Sequence, residues 1–221
     1  MLYSSNFVGA FTRGESKEIA IAKMPQEIVA YLRWKGECFS GNLSVEIVQE
    51  KASTLKICDA DSDVIFNDEK LPLSLEEYNA IKALALKSAK DFWMLYESIP
   101  DQEESCLSQR TTFYGNTPRT AREMYEHTKN VNEYYFGEIG VAANNCGTIL
   151  ECREKGFAQL ERQQDFLKRA VICGSYDEEW SVRKVLRRFL WHDRIHAKAL
   201  YRMAKKTFGA KAVPDVFRFE A

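Results

Sequence analysis

Charge of one sign is the first thing this 221-residue sequence lacks: 31 Lys and Arg stand against 32 Asp and Glu, a net charge of −1. Such a balance leaves no field to gather nucleic acid or anionic lipid non-specifically, so neither nucleic acid nor a membrane is the expected partner. Long apolar runs are also lacking. No segment reaches the roughly 18 consecutive apolar residues of a membrane span, and no stretch has the charged start, apolar middle and small-residue cleavage site of a signal peptide. A cytoplasmic location is therefore expected. The six cysteines never form a Cys-x-x-Cys pair, a scatter that fits neither a zinc ribbon nor a secreted disulfide framework and is read as reduced, mostly buried thiols. Histidine is scarcer still, with three in the chain.

What is present is mainly helical pattern. Ser16 can cap a first helix with Ile19, Ala20, Ala22, Ile28 and Leu32 at helical spacing, kinked or restarted at Pro25. After Gly36, "LSVEIVQE" alternates Leu43, Val45 and Ile47 against Ser44, Glu46 and Val48, and "TLKICDADSDVIF" has the same short period, so strands are expected there. Residues 1–71 thus read as a small α/β region. From Leu73 onward four long amphipathic helices are expected. The first opens on a Ser74 cap with Glu77 three residues on and closes at Pro100. The second opens on the Thr120–Glu123 capping box and runs to about Glu138, the third spans about Thr148 to Cys173, and the fourth runs from Ser181 to about Thr207, before Gly209. The expectation is a mainly α chain: a four-helix bundle over 72–208, the small α/β region before it and a tail over 209–221.

The histidines fall on these helices. In "WHDRIHAKAL", His192 and His196 lie one turn apart on one face, close enough for both imidazoles to bind one ion. His127 sits in the second of the four helices, on an expected apolar stripe with Met124 and Val131. If that helix and the last run parallel, a modest stagger brings all three together. Three neutral imidazoles leave a position open for water or substrate, as in a catalytic rather than a structural zinc site. Zn²⁺ and Ni²⁺ both suit imidazole. The plainer alternative is three ordinary core or surface histidines. A zincin reading of H-D-R-I-H, one methylene from H-E-x-x-H, needs a third ligand downstream, where the only acidic residues are Asp215 and Glu220.

"EWSVRKVLRRFLWHDRIHAKAL" (179–200) resembles the last bundle helix of DinB-like proteins, where a Trp-Ser start leads to an H-x-x-x-H pair, and "TPRTAREMYEHTKNVNEYYFGEI" (117–139) resembles their second helix. The resemblance covers about residues 72–208. It implies His127, His192 and His196 as ligands of a divalent metal, and a thiol-dependent transferase or isomerase with a low-molecular-weight thiol as cosubstrate. Residues 7–37 resemble a fragment of HicB-like domains, keeping a turn and helix in "VGAFTRGESKEIAIAKMPQEIVAYL". Such antitoxins bind DNA through additional modules, and none is visible here.

Arg183, Lys184, Arg187 and Arg188 cluster in the first two turns of the last helix, where the macrodipole disfavours cations. Arg188, one turn before His192, is the candidate binder of an anionic cosubstrate, against the alternative of a solvated face paired with Glu178 or Glu179. Tyr134, two turns past His127, is the candidate to line the pocket. A small-molecule substrate is expected, and self-association into a homodimer is left open. Two other readings stay open: a metal-dependent hydrolase, and a binding or regulatory module with a structural metal. A structural metal usually takes a fourth protein ligand, for which Cys146 or Cys152 would be the candidates.

Overall fold

The computed structural model describes residues 1–56, 63–112 and 115–220, and these are mainly helical with three short antiparallel strand pairs. β1 (Leu2–Tyr3) pairs with β2 (Phe11–Thr12), and α1 (Lys17–Lys35) follows. After an irregular stretch come α2 (Leu75–Glu97), the pair β3 (Thr111–Thr112) and β4 (Gly115–Asn116), α3 (Ala121–Gly137) and α4 (Ile149–Glu161). The pair β5 (Ile172–Cys173) and β6 (Glu179–Trp180) then leads into α5 (Val182–Phe208). None of the helices is long and apolar enough among the described residues to cross a membrane.

Helix starts fall where the capping residues stand. Ser74, Thr120 and Thr148 each accept from the backbone N–H three residues on, and Glu77, Glu123 and Glu151 reach back to close the boxes. Ser16 and Ser181 cap α1 and α5 by the same first bond. Such caps satisfy donors that a helix start otherwise leaves open.

Four expectations need correction. α1 continues through Pro25 as one helix, so of the two readings, kink or restart, the restart is excluded. Met24, Ile28, Tyr31 and Leu32 are buried on either side of it, and their burial outweighs the roughly 3 kcal/mol that an interior proline costs. The third long helix ends at Glu161, not Cys173. Asp165 adopts a left-handed conformation (φ 52°), and the chain turns back so that Arg169 donates to the Ile139 carbonyl (2.6 Å) and Gln163 to that of Gly140 (3.0 Å), beyond the end of α3. Residues 43–56 and 63–66 form no strand. The alternation there is genuine, with Leu43, Val45 and Ile47 half-buried and Ser44, Glu46 and Val48 exposed, but among the described residues no neighbouring strand supplies a ladder. The rest of that expected strand, residues 57–62 with Cys58, lies outside the described residues. Finally, of the five described cysteines only Cys152 is buried.

α2 packs against α5, α4 and α3, and α3 packs against α4 and α5. One apolar cluster unites them, and it includes Ala10, Met24, Ile28, Tyr31, Leu32 and Trp34 from the N-terminal region. Two glycines permit the closest approaches. Gly9, at φ 93°, lies where a Cβ would stand 2.6 Å from the Cβ of Leu190 on α5, and a Cβ on Gly156 of α4 would stand 2.0 Å from the Phe136 ring of α3. Phe136 is fully buried against Phe157 and Phe189 and has nowhere to move. Gly156→Ala is therefore expected to cost about 1–3 kcal/mol through overpacking, although alanine is the better helix former by about 1 kcal/mol. The urea midpoint reads this directly, and an unchanged or raised midpoint would refute it.

Candidate metal centre

His127 on α3 and His192 and His196 on α5 come together. One ring nitrogen from each lies within 4.8 Å of the others, with ring centroids 5.1 Å apart for His127–His192, 4.6 Å for His127–His196 and 4.4 Å for His192–His196. Two nitrogens on one tetrahedral Zn²⁺ are about 3.3 Å apart, so the three are near ligand spacing, and the cluster could hold a metal ion. The donor set fits such an ion, and so does an orphaned atom: the buried Nδ1 of His192 has no hydrogen-bond partner.

The cluster is not uniformly interior. His192 is buried and His196 partly so, whereas His127, expected on an apolar stripe, is exposed. It stands at a pocket of about 270 Å³ lined also by Gln109, Asn116, Thr117, Pro118 and Glu123. The site thus opens to solvent on the His127 side. Burial pushes the His192 imidazole well below its ordinary range, and the neighbouring His196, His127, Arg188 and Arg153 act in the same direction. Burial, then His127, does the same to His196. Both are held neutral near pH 7, the form that ligates a metal.

The residues between the ligands face elsewhere. Asp193 is fully buried and accepts both Nη groups of Arg153 on α4, at 3.1 and 3.2 Å, while Arg153 Nε donates to Asn132 Oδ1 on α3 at 3.1 Å. A general-base role for Asp193, as the zincin reading needs, has no geometric support. Burial pushes the Asp193 carboxyl up, opposed by Arg153. The fully buried Arg194 donates from Nη2 to Glu27 Oε1 on α1 at 2.8 Å.

The basic cluster at the start of α5 is mostly not solvated. Lys184, Arg187 and Arg188 are each at most 3% exposed. Lys184 binds Glu178 (2.7 Å) and the carbonyls of Asp63 and Glu179, Arg187 pairs with Glu69, and Arg183 with Glu77. Burial brings Lys184 down to about 8. These pairs offset the macrodipole and fasten residues 63–72 to α5. Arg188 lies 3.6 Å from Glu178, with its guanidinium over the rings of Tyr135 (4.9 Å), Trp180 (5.3 Å) and Trp191 (5.5 Å). The indole N–H groups of Trp180 and Trp191 are buried without hydrogen-bond partners. Tyr134 is half-buried with its ring edge-on to Trp180, and its hydroxyl is pushed up by burial and then by Glu178. It sits beside the Arg188 group and is not part of the histidine cluster.

Sequence reasoning missed Tyr135, which meets His192 edge-on at 6.0 Å, and Arg153. The readable signal for Arg153 was a cation amid the apolar stripe of Ile149, Cys152, Gly156, Phe157 and Leu160. Cys146 and Cys152 are not part of the ligand group. No protein-family model, characterised protein sequence or solved structure matches this chain.

Proposed function

We propose that the chain is a DinB-like protein whose α2–α5 form a four-helix bundle, and that it is a divalent-metal-dependent enzyme transferring a low-molecular-weight thiol to an electrophilic substrate. The observation that carries the reading is the meeting of all three histidines from two helices beside a solvent-open pocket. A bound divalent ion supplies Lewis acidity, lowering the pKa of a thiol or water near it.

The chain's own residues fit the thiol branch better than the hydrolytic one. In the thiol branch the S–H proton passes to solvent as the carbon–sulfur bond forms, and the electron pair displaced at the attacked carbon departs with the leaving group or is protonated by solvent, so the step needs no protein base. The lowered pKa serves an attacking water equally, but hydrolysis of an ester or amide further calls for a protein group that carries a proton to the leaving group. The carboxylate beside the ligands, Asp193, is committed to Arg153, and Glu123 in the pocket accepts the backbone N–H groups of Arg119 and Thr120 on Oε2, which hold its carboxyl below the ordinary range and make it a poor carrier of protons. His127, His192 and His196 hold the ion. Arg188, with the indole donors of Trp180 and Trp191, would orient an anionic group of the cosubstrate once that group displaces Glu178 and enters the now closed space around these side chains.

The test is a screen of the metal-loaded protein with several thiols and a generic electrophile. Thiol-dependent turnover is expected, and Arg188→Met should raise the KM for a carboxylate-bearing thiol at least tenfold with metal content and kcat retained, since a charge-assisted contact contributes about 1.5–3 kcal/mol. Ester or amide hydrolysis without thiol dependence would replace this reading with the hydrolase. No turnover, with a stably bound macromolecule instead, would replace it with the binding module.

A further inference from the structure

We propose that Asp193 and Arg194, two of the three residues between His192 and His196, are positioning residues that lock α5 in rotation about its own axis and so set the affinity and geometry with which the histidines take a divalent ion. This rests on the metal reading above. At about 100° per residue, His196 returns to within about 40° of His192, while Asp193 projects about 100° and Arg194 about 200° away. Asp193 and Arg194 therefore point to two other sides of the helix, and on each side a buried ion pair is waiting.

On one side the Asp193 carboxylate is held bidentately by Arg153 of α4, which also binds Asn132 of α3. Asn132 lies five residues past His127, so this chain of bonds ties the helix of one ligand to the helix of the other two. On the other side Arg194 and Lys198 take the two oxygens of Glu27 on α1, at 2.8 and 2.9 Å. The Arg194 guanidinium lies 5.0 Å from the ring centres of Tyr31 and of Trp34. Apolar packing already restrains α5 against its neighbours, and two directional anchors on different sides restrain its rotation further.

The magnitude decides that rotation matters. With side chains a helix has a radius of about 5–6 Å, so a 20° roll would carry an imidazole by about 2 Å. Metal–ligand distances tolerate only about 0.2 Å. Stability alone does not call for ions here, because an apolar pair of similar volume often serves a buried site as well or better. What the ion pairs add is direction. On this account α1 helps to build the metal centre, and its tie to α5 is part of the site.

The experiment uses the chain in two double variants, Arg153→Met with Asp193→Leu and Glu27→Met with Arg194→Leu, each removing both charges of a buried pair; the second also leaves the partly exposed Lys198 without its carboxylate. Zn²⁺ affinity is measured by competition with a chromophoric chelator, and geometry by the visible absorption of the Co²⁺-loaded protein. Folded variants are expected to bind Zn²⁺ at least tenfold more weakly, in the range known for residues supporting metal ligands, with shifted Co²⁺ bands. Wild-type affinity and bands in both folded variants would overturn the proposal and reduce the pairs to packing. Should a double variant fail to fold, Asp193→Asn keeps the shape and is expected to weaken binding at least threefold with a band shift; an unchanged constant and spectrum would overturn the proposal equally. Failure of the wild-type chain itself to bind Zn²⁺ or Co²⁺ would overturn the metal reading, and this inference with it.

Discussion

Replacing His192 and His196 together by alanine is expected to abolish binding of Zn²⁺ or Ni²⁺ at the proposed site, and with it the stabilisation that the bound ion gives. A site that binds the native state alone contributes RT ln(1 + [L]/Kd), about 4 kcal/mol when the ion stands at a thousand times its Kd. For a chain of this size that corresponds to a rise in Tm on the order of 10 °C. The double variant should show no such rise. His127→Ala should behave differently in one respect: the residue is exposed, so the metal-free Tm should stay near wild type while metal affinity falls. Elemental analysis and melting curves with and without Zn²⁺, on protein carrying no histidine tag, separate these outcomes. Full metal retention in the double variant would refer the ion to other ligands.

The legible parts of this chain were those governed by local physics. A Ser or Thr followed three residues later by Glu satisfies helix-start donors whatever the tertiary context, so the starts of α2, α3 and α4 could be read directly. The spacing of four between His192 and His196 likewise fixes a shared face from helical geometry alone. The end of α4 was not legible, because residues 162–173 continue a helical-looking pattern and what stops it is non-local: Gln163 and Arg169 bond to the chain beyond α3. Residues 43–48 show the converse. Their alternation correctly forecast which side chains turn inward, yet strand formation depends on a partner that a single segment cannot announce. The charges of α5 were half legible. Pairing with Glu178, a few residues upstream, could be read from the sequence and is present for Lys184 and Arg188, whereas the burial of the cluster and the arrival of Glu69 at Arg187 depend on the fold.

Acid should destabilise the metal-free protein from pH 6.5 downward, and the two histidines on α5 supply the reason. In the unfolded chain each imidazole takes up a proton near 6.5. In the folded chain burial holds His192 and His196 well below that value, so between the two values the unfolded state binds protons that the native state refuses. Their contribution to stability is then complete above about pH 7 and is lost as pH falls through 6.5, at up to about 1.4 kcal/mol per pH unit for each histidine. Asp193, pushed up by burial from 3.8, works in the opposite direction as its folded carboxyl takes up a proton, which confines the clean part of the effect to the upper end of the acid range. Saturating Zn²⁺ needs the same neutral imidazoles and competes with protons for them, so it should move the onset of acid loss to lower pH. Urea midpoints taken from pH 8 to 5 in a chelator are expected to be flat above 7 and to fall below 6.5, and His192→Gln should lessen that slope. Equal slopes in wild type and His192→Gln would show that the buried imidazole is not what acid attacks.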